Sequence, residues 1–232
     1  MRYKYVFVDL DNTLLDFEAA EEYSFYYTAR QYGLSFTPRE LELYQSINGP
    51  LWAMLERREI TKDALVIRRY RELFDRLGIR GIDPARYNAD YLDNLALDTR
   101  PLSGAEELCR FIHENAVLVV ATNGVSATQH RRIRASGLER WFDFVVVSDD
   151  AGAEKPDSRY FDRAFAVCGA REKKECIIIG DSLSSDIRGG RGYGIDTCWY
   201  NPKARPLPEG APEPVYTVTA LTDFIGILKG KE

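Results

Sequence analysis

Five short apolar runs constrain this 232-residue chain more than any other feature. They are YKYVFVD (3–9), AVLVVAT (116–122), FDFVVVS (142–148), CIIIGD (176–181) and DTCWY (196–200). Each is too short for a buried helix and too continuous for a half-exposed strand. Near-continuous apolar strands are buried on both faces, the habit of a parallel sheet. The stretches between them read as helices: SGAEELCRFIHEN from Ser103, SATQHRRIRASG ending at Gly137, and DSRYFDRAFAVCG ending at Gly169. A glycine just past the last periodic residue is a natural helix stop. Strand alternating with helix, joined by right-handed crossovers, predicts an α/β fold built on a doubly wound parallel sheet. A proline-rich surface loop, NPKARPLPEGAPEP (201–214), leads to a last strand, VYTV, and a closing helix.

One interval breaks this rhythm. Between about Glu18 and Asp98 there is no buried strand pattern, only helical patterns separated by breakers: EAAEEYSFYYTARQYG, TPRELELYQSING, PLWAMLERRE, TKDALVIRRYRELFDRLG and DPARYNADYLDNLAL. Thr37-Pro38-Arg39-Glu40 has the N-cap, first-turn proline and third-position glutamate of a helix start. The expected organisation is therefore a core of residues 1–16 and 99–232 with an all-helical domain, 17–98, inserted after the first strand. Within the insert, Tyr23, Tyr26 and Tyr27 at helical spacing are expected to be core. The run RYRELFDR is expected to be a solvated face, and Trp52, beside an INGPLW turn, is the better stacking candidate.

Composition narrows the function classes. Hydrophobic content of 45% with 29% charged residues is ordinary for a globular protein. A formal charge of −5 argues against binding nucleic acid or an anionic membrane, both of which need a basic face. No apolar run approaches the roughly 20 residues of a membrane span. MRYKYVFVDLD reaches its aspartates too early for a signal peptide. Cys109, Cys168, Cys176 and Cys198 lack metal or redox spacing and read as small buried residues, which fits a reduced cytoplasmic enzyme. His113 and His130 lie in helical patterns without a ligand cluster and read as structural.

The chemistry gathers where the apolar runs stop. The first ends in Asp9-Leu10-Asp11-Asn12-Thr13, the second in Thr122-Asn123-Gly124, and the fourth in Gly180-Asp181-Ser182 with Asp186 close behind. Lys155 lies in GAEKPD after the third. Alone, each has an ordinary reading: an acidic turn, a helix N-cap, a surface lysine, a turn before a helix. Ligands of open α/β sheets bind at the carboxyl ends of the strands, so these clusters should converge on one mouth. Paired carboxylates repel unless a cation lies between them. Mg²⁺, a hard ion that bridges carboxylates to substrate phosphate, meets that need. Asp9, Asp181 and the Asp11 carbonyl can supply its oxygens, while Lys155 and Thr122 hold phosphate oxygens. A carboxylate in line with phosphorus can form an aspartyl-phosphate, and a second can move the proton.

DLDNTLL, TNG, EKPD and GDSLSSDI, in that order, resemble the four motifs of the haloacid dehalogenase superfamily of phosphohydrolases. The resemblance implies a HAD-like Rossmannoid core with strand order 5-4-1-2-3, and it makes the helical insert a C1-type cap. It implies Asp9 as nucleophile and Asp11 as general acid/base, with Thr122, Asn123 and Lys155 binding substrate. Metal would be held by Asp9, Asp181 and the Asp11 carbonyl, with Asp186 in the outer shell or fixing Lys155. An acid at position 11 is unlike the dehalogenases themselves, whose halide leaves without a proton. INGPLW, TNGVSATQ, TCWYNP and PEGAPEPVYTV are similar to the pyrimidine 5′-nucleotidase branch. The implied activity is Mg²⁺-dependent hydrolysis of a small phosphate monoester, a pyrimidine nucleotide above others. A phosphatase for a sugar phosphate or phosphoglycolate-like acid, or a phosphomutase, is the nearer alternative. A phospho-signalling receiver domain fits less well, having no insertion after strand one and its phosphorylated aspartate in mid-chain. A binding protein that lost catalysis would not need the Asp9/Asp11 pair.

Overall fold

The computed structural model describes residues 1–230. Its strands are β1 (Tyr5–Val8), β2 (Val117–Thr122), β3 (Phe144–Val147), β4 (Cys176–Gly180), β5 (Asp196–Tyr200) and β6 (Tyr216–Val218). Its helices are α1 (Phe17–Gln31), α2 (Pro38–Glu56), α3 (Lys62–Leu77), α4 (Pro84–Asn94), α5 (Ala105–Asn115), α6 (Ser126–Ser136), α7 (Ser148–Ala151), α8 (Ser158–Cys168), α9 (Arg188–Tyr193) and α10 (Leu221–Leu228). All strand pairs are parallel, in the order β3-β2-β1-β4-β5-β6. The expected 5-4-1-2-3 arrangement is present, with β6 added outside β5.

Side chains alternate between two cores, one on each face of the sheet. Val6, Val8, Leu118, Val120, Ile177 and Ile179 pack with Leu108 and Ile112 of α5 and Leu221 and Phe224 of α10. Phe7, Val119, Ala121 and Ile178 pack with Tyr160, Phe161, Ala164 and Phe165 of α8. Burial on both sides is why these strands read as continuous apolar runs. The register is what matters for the site. Val8 lies beside both Val120 and Ile179, so Asp9, Thr122 and Asp181 all follow the same sheet edge.

By its internal contacts the chain divides into two units, Met1–Phe17 with Thr99–Glu232, and Glu18–Asp98. The second is helical. Thr37 makes the capping box with Glu40, whose carboxylate accepts from the Thr37 backbone at 2.7 Å. Three expectations for this unit are corrected. There is no turn at INGPLW: α2 runs unbroken through Pro50. An interior proline costs about 3 kcal/mol, but the helix buries Tyr44, Ile47, Leu51 and Leu55 along one face. Burying two leucines alone returns about 3–6 kcal/mol. Tyr23, Tyr26 and Tyr27 are not core. The buried stripe of α1 is Ala20, Glu21, Ser24, Phe25, Thr28 and Ala29, and Tyr23 is exposed. The basic run on α3 is not wholly solvated either, because Arg69 is buried. It donates to Tyr44 Oη (3.1 Å), Asn48 Oδ1 (3.4 Å) and Asn88 Oδ1 (2.7 Å), and lies over the rings of Tyr70 and Tyr91.

All four cysteines are buried free thiols. Among the described residues no helix is long and apolar enough to cross a membrane.

Candidate active site

Asp9 leaves β1 with its backbone N–H still donating to Ile179 (3.0 Å), so the strand fixes where the carboxylate points. The chain then turns sharply. Leu14 and Leu15 N–H groups both donate to the Leu10 carbonyl, and all three leucines are sunk in the core. Asn12 sits at φ 58°, a left-handed conformation that asparagine tolerates, and its Oδ1 accepts from the Phe17 N–H at 3.1 Å. Alternation along Asp9-Leu10-Asp11 buries the leucine and leaves two carboxylates beside the sheet edge.

Lys155 is the centre of the cluster. Its Nζ donates to Asp9 Oδ1 (2.8 Å), Asp186 Oδ1 (2.6 Å) and the Ala121 carbonyl (2.5 Å), with only 1% of the side chain exposed. All three ammonium protons are thereby used. Burial alone would lower its pKa, but Asp186 and Asp9 overcome this and hold it well above the usual lysine range. Asp186 Oδ2 accepts from the Ser182 N–H (3.2 Å). That carboxylate fits because residue 180 is glycine: a Cβ there would lie 2.1 Å from Asp186 Oδ2. Asn123 clasps the same loop, its Nδ2 donating to the Lys155 carbonyl and its Oδ1 accepting from the Lys155 N–H, both at 2.8 Å. Its carboxamide thus braces Lys155. Thr13 Oγ1 donates to Asp9 Oδ2 (3.3 Å) and accepts from the Asp181 N–H (3.2 Å), while Trp199 Nε1 donates to the Asp181 carbonyl (3.0 Å).

The charge balance of this cluster calls for a cation. Oxygens of Asp9, Asp181 and Asp186 lie within 4.8 Å of one another. Three carboxylates against one ammonium leave a surplus of negative charge in a buried site. Burial, partly offset by Lys155 and reinforced by Asp186 and Asp11, pushes Asp9 up to about 7. Burial, then Asp9 and Asp186, also raises Asp181 well above the carboxylate range. Groups so reluctant to ionise together are suited to a hard divalent ion. Beside Asp181 opens a cavity of about 310 Å³ lined by Leu183, Ser184, Trp199, Arg205, Pro206 and Pro208.

Asp11 is held apart from the Lys155 cluster. Its Oδ2 accepts from Gln129 Nε2 (2.7 Å) and its Oδ1 from Arg132 Nη1. The Gln129 Nε2 also donates to Thr122 Oγ1 (2.7 Å). So Asp9, Lys155, Asp181 and Asp186 form one group, and Asp11, Thr122, Gln129 and Arg132 a second beside it.

Residues 3–194 match the haloacid dehalogenase-like hydrolases as a family. The chain belongs to that family. This hydrolase is 33% identical to pyrimidine 5′-nucleotidase YjjG of Escherichia coli over 98% of its own length and 99% of that protein's. It is 35% identical to pyrimidine 5′-nucleotidase PynA of Streptococcus pneumoniae, over 98% and 96% of the two chains. The magnesium-bound crystal structure of the HAD-hydrolase YfnB of Bacillus subtilis superposes with a TM-score of 0.91 at 34% identity, covering 98% of this chain and 99% of that one.

Gln129 and Arg132 are absent from the residues that the sequence singled out. They occupy the inward face of α6 with Thr128 and Ile133, and both are buried. The available signal was a polar pair at i and i+3 immediately behind TNG, on a helix with little apolar surface to bury. The hydrolase also has a second glycine set by close approach. A Cβ on Gly124 would lie 2.4 Å from the Gln129 side chain, so the last residue of TNG is where that carboxamide crosses the backbone.

Proposed function

We propose that this hydrolase is a Mg²⁺-dependent phosphomonoesterase that works through an aspartyl-phosphate and acts on pyrimidine nucleoside 5′-monophosphates in the cytoplasm. The observation that carries the reading is the buried Asp9–Lys155–Asp186 cluster with Asp181 beside it and a separately held second carboxylate, Asp11, two residues along. The two nucleotidase relatives, aligned over nearly their full length, support the choice of substrate.

Asp9 is the nucleophile in this reading. One of its oxygens bonds to phosphorus as the bond from phosphorus to the ester oxygen breaks, and Asp11 gives that leaving oxygen its proton. Water then attacks the aspartyl-phosphate and yields its proton to Asp11, and the Asp9 carboxylate departs from inorganic phosphate. Thr122 offers its hydroxyl to a phosphate oxygen, Lys155 would exchange its bond to Asp9 for one to phosphate as Asp9 is phosphorylated, Asn123 keeps Lys155 in place, and Thr13 orients Asp9. Asp9, Asp181 and the Asp11 carbonyl would hold Mg²⁺, with Asp186 behind them fixing Lys155. When bound, the ion offsets the negative charge on the nucleophile and the phosphoryl group.

Two outcomes test this. Excess EDTA should abolish release of phosphate from uridine 5′-monophosphate, and Mg²⁺ should restore it; full turnover in chelator would refute the metal assignment. In a panel of esters, uridine and thymidine monophosphates should be hydrolysed faster than purine nucleotides, with phosphoproteins and nucleic acid inert. Faster hydrolysis of a sugar phosphate or phosphoglycolate would shift the substrate to that class, and conversion of a phosphosugar to its isomer without free phosphate would make the protein a mutase.

A third outcome concerns stability. A carboxyl with a raised folded-state pKa binds its proton more tightly folded than unfolded, so it favours the fold at low pH and disfavours it as pH rises. For Asp9 that loss falls between about pH 4, the ordinary value, and its folded value of about 7. The metal-free protein should therefore melt at a lower temperature at pH 7.5 than at pH 5. Added Mg²⁺ should raise the midpoint more at the higher pH. A stabilisation by Mg²⁺ that shrinks as pH rises would place the ion elsewhere.

A further inference from the structure

The mechanism above uses Asp11 without using the two residues that grip it. Arg132 is fully buried, and its polar contacts run from a single nitrogen, Nη1, to Asp11 Oδ1 and to Gln129 Oε1 at 2.9 Å. Among the described residues its Nε and Nη2 are buried without a hydrogen-bond partner, and its guanidinium carbon lies 5.4 Å from the centre of the Phe17 ring. A buried arginine that serves only the fold is ordinarily satisfied at most of its five donors. Here two edges are left unmet while one edge meets a carboxylate. Gln129 is equally specific: its Nε2 is shared between Asp11 Oδ2 and Thr122 Oγ1, both at 2.7 Å, and its Oε1 is taken by Arg132. The carboxamide is thereby oriented, and each Asp11 oxygen faces one fixed donor. Gly124 completes the arrangement by leaving room for the Gln129 side chain.

We propose that Gln129 and Arg132 are positioning residues for Asp11, holding both of its oxygens and tying its orientation through Gln129 to the Thr122 hydroxyl. The claim rests on the reading of Asp11 as the proton-transfer group. It assigns the hydrolase a coupled unit of acid, phosphate-side hydroxyl and two buried donors, carried on the helix that follows TNG. A carboxyl with both oxygens anchored loses rotational freedom, so its proton is delivered from one place relative to the phosphate. Steps that need Asp11 should depend on the unit, and steps that do not need it should be indifferent.

The experiment compares two esters. Uridine 5′-monophosphate has a poor leaving group that needs a proton; p-nitrophenyl phosphate has one that leaves unaided. Arg132→Met and Gln129→Leu should lower kcat for the nucleotide by about 10- to 100-fold, part of the ~10²–10⁴ that acid–base catalysis contributes. In Arg132→Met KM should stay within about threefold, because Arg132 bonds to Asp11 and Gln129 and not to a phosphate-side group. Both variants should still give a rapid first release of nitrophenolate, since that step leaves Asp11 idle. Arg132→Lys should recover part of the nucleotide rate. In an Asp11→Asn background, Gln129→Leu should cost much less than it does in the wild type.

Should removal of the buried arginine prevent folding, Gln129→Leu and Gly124→Ala decide the matter without deleting a charge. Gly124→Ala pushes the Gln129 side chain from its place and should reproduce the nucleotide defect. Wild-type kcat for the nucleotide in Gln129→Leu and Gly124→Ala would overturn the proposal. So would an equal loss of the first nitrophenolate release, which is the mark of general damage. If Asp11→Asn itself hydrolyses the nucleotide at the wild-type rate, the role of Asp11 falls, and with it the premise of the proposal.

Discussion

Asp9→Asn should lower phosphatase turnover by at least about 10⁴-fold, since loss of a nucleophile removes the covalent route altogether. No ester, however good its leaving group, should then yield a phosphoenzyme in an acid quench. The fold should survive, because Lys155 keeps Asp186 and the Ala121 carbonyl as partners and one surplus negative charge is gone. Asp11→Asn separates the second role from the first. Uridine 5′-monophosphate hydrolysis should fall by about 10²–10⁴ for want of a proton donor. p-Nitrophenyl phosphate should still phosphorylate Asp9, releasing about one nitrophenolate per active site before slowing, because breakdown needs Asp11 as base for water. Steady wild-type turnover of that ester without a burst would remove Asp11 from the mechanism, and a phosphoenzyme in Asp9→Asn would remove Asp9.

Lys155→Met should be the most destabilising single change in the site. Among the described residues the ammonium is the one cation bonded to both Asp9 and Asp186, and all three are buried. Removing one partner of a buried ion pair costs about 3–5 kcal/mol, because the abandoned charge stays out of water. In a chain this long that lowers the melting midpoint by roughly 6–20 °C. The loss should be smaller at pH 5, below the raised value of about 7 for Asp9, where that carboxyl is protonated and no charge is abandoned there. Adding Asp186→Asn should recover part of it by deleting one of the two stranded charges. An unchanged midpoint in Lys155→Met would mean that the cluster is solvated and that its charge balance needs no cation.

Much of the site was legible because it lies where apolar periodicity ends. Asp9, Thr122 and Asp181 follow runs that could only be buried strands, and a parallel sheet brings such ends together. Lys155 was legible through its place in EKPD, and the resemblance offered Asp186 as a partner for it, but its bond to Asp9, 146 residues away, was not legible. The grip on Asp11 was hidden for a physical reason. Pattern reading assigns polar side chains to solvent, and on α6 the buried face carries Thr128, Gln129 and Arg132 beside Ile133. Arg69 escaped in the same way, its burial secured by three oxygens on α2 and α4 and by the rings of Tyr70 and Tyr91. Pro50 was misleading because a local backbone cost was outweighed by burial along α2.

By itself the sequence determined the element types and which residues stand at the strand ends, because both follow from local periodicity and from the short reach of a turn. It also determined that two carboxylates flank a buried leucine after β1, since alternation leaves no other choice. Only the tertiary structure decided that β6 extends the sheet outside β5, that Lys155 rather than solvent neutralises Asp9, and that Asp11 is held by Gln129 and Arg132. Those are pairings between segments distant in sequence. Their energies depend on register, burial and the count of available donors, quantities that exist only once the sheet has assembled.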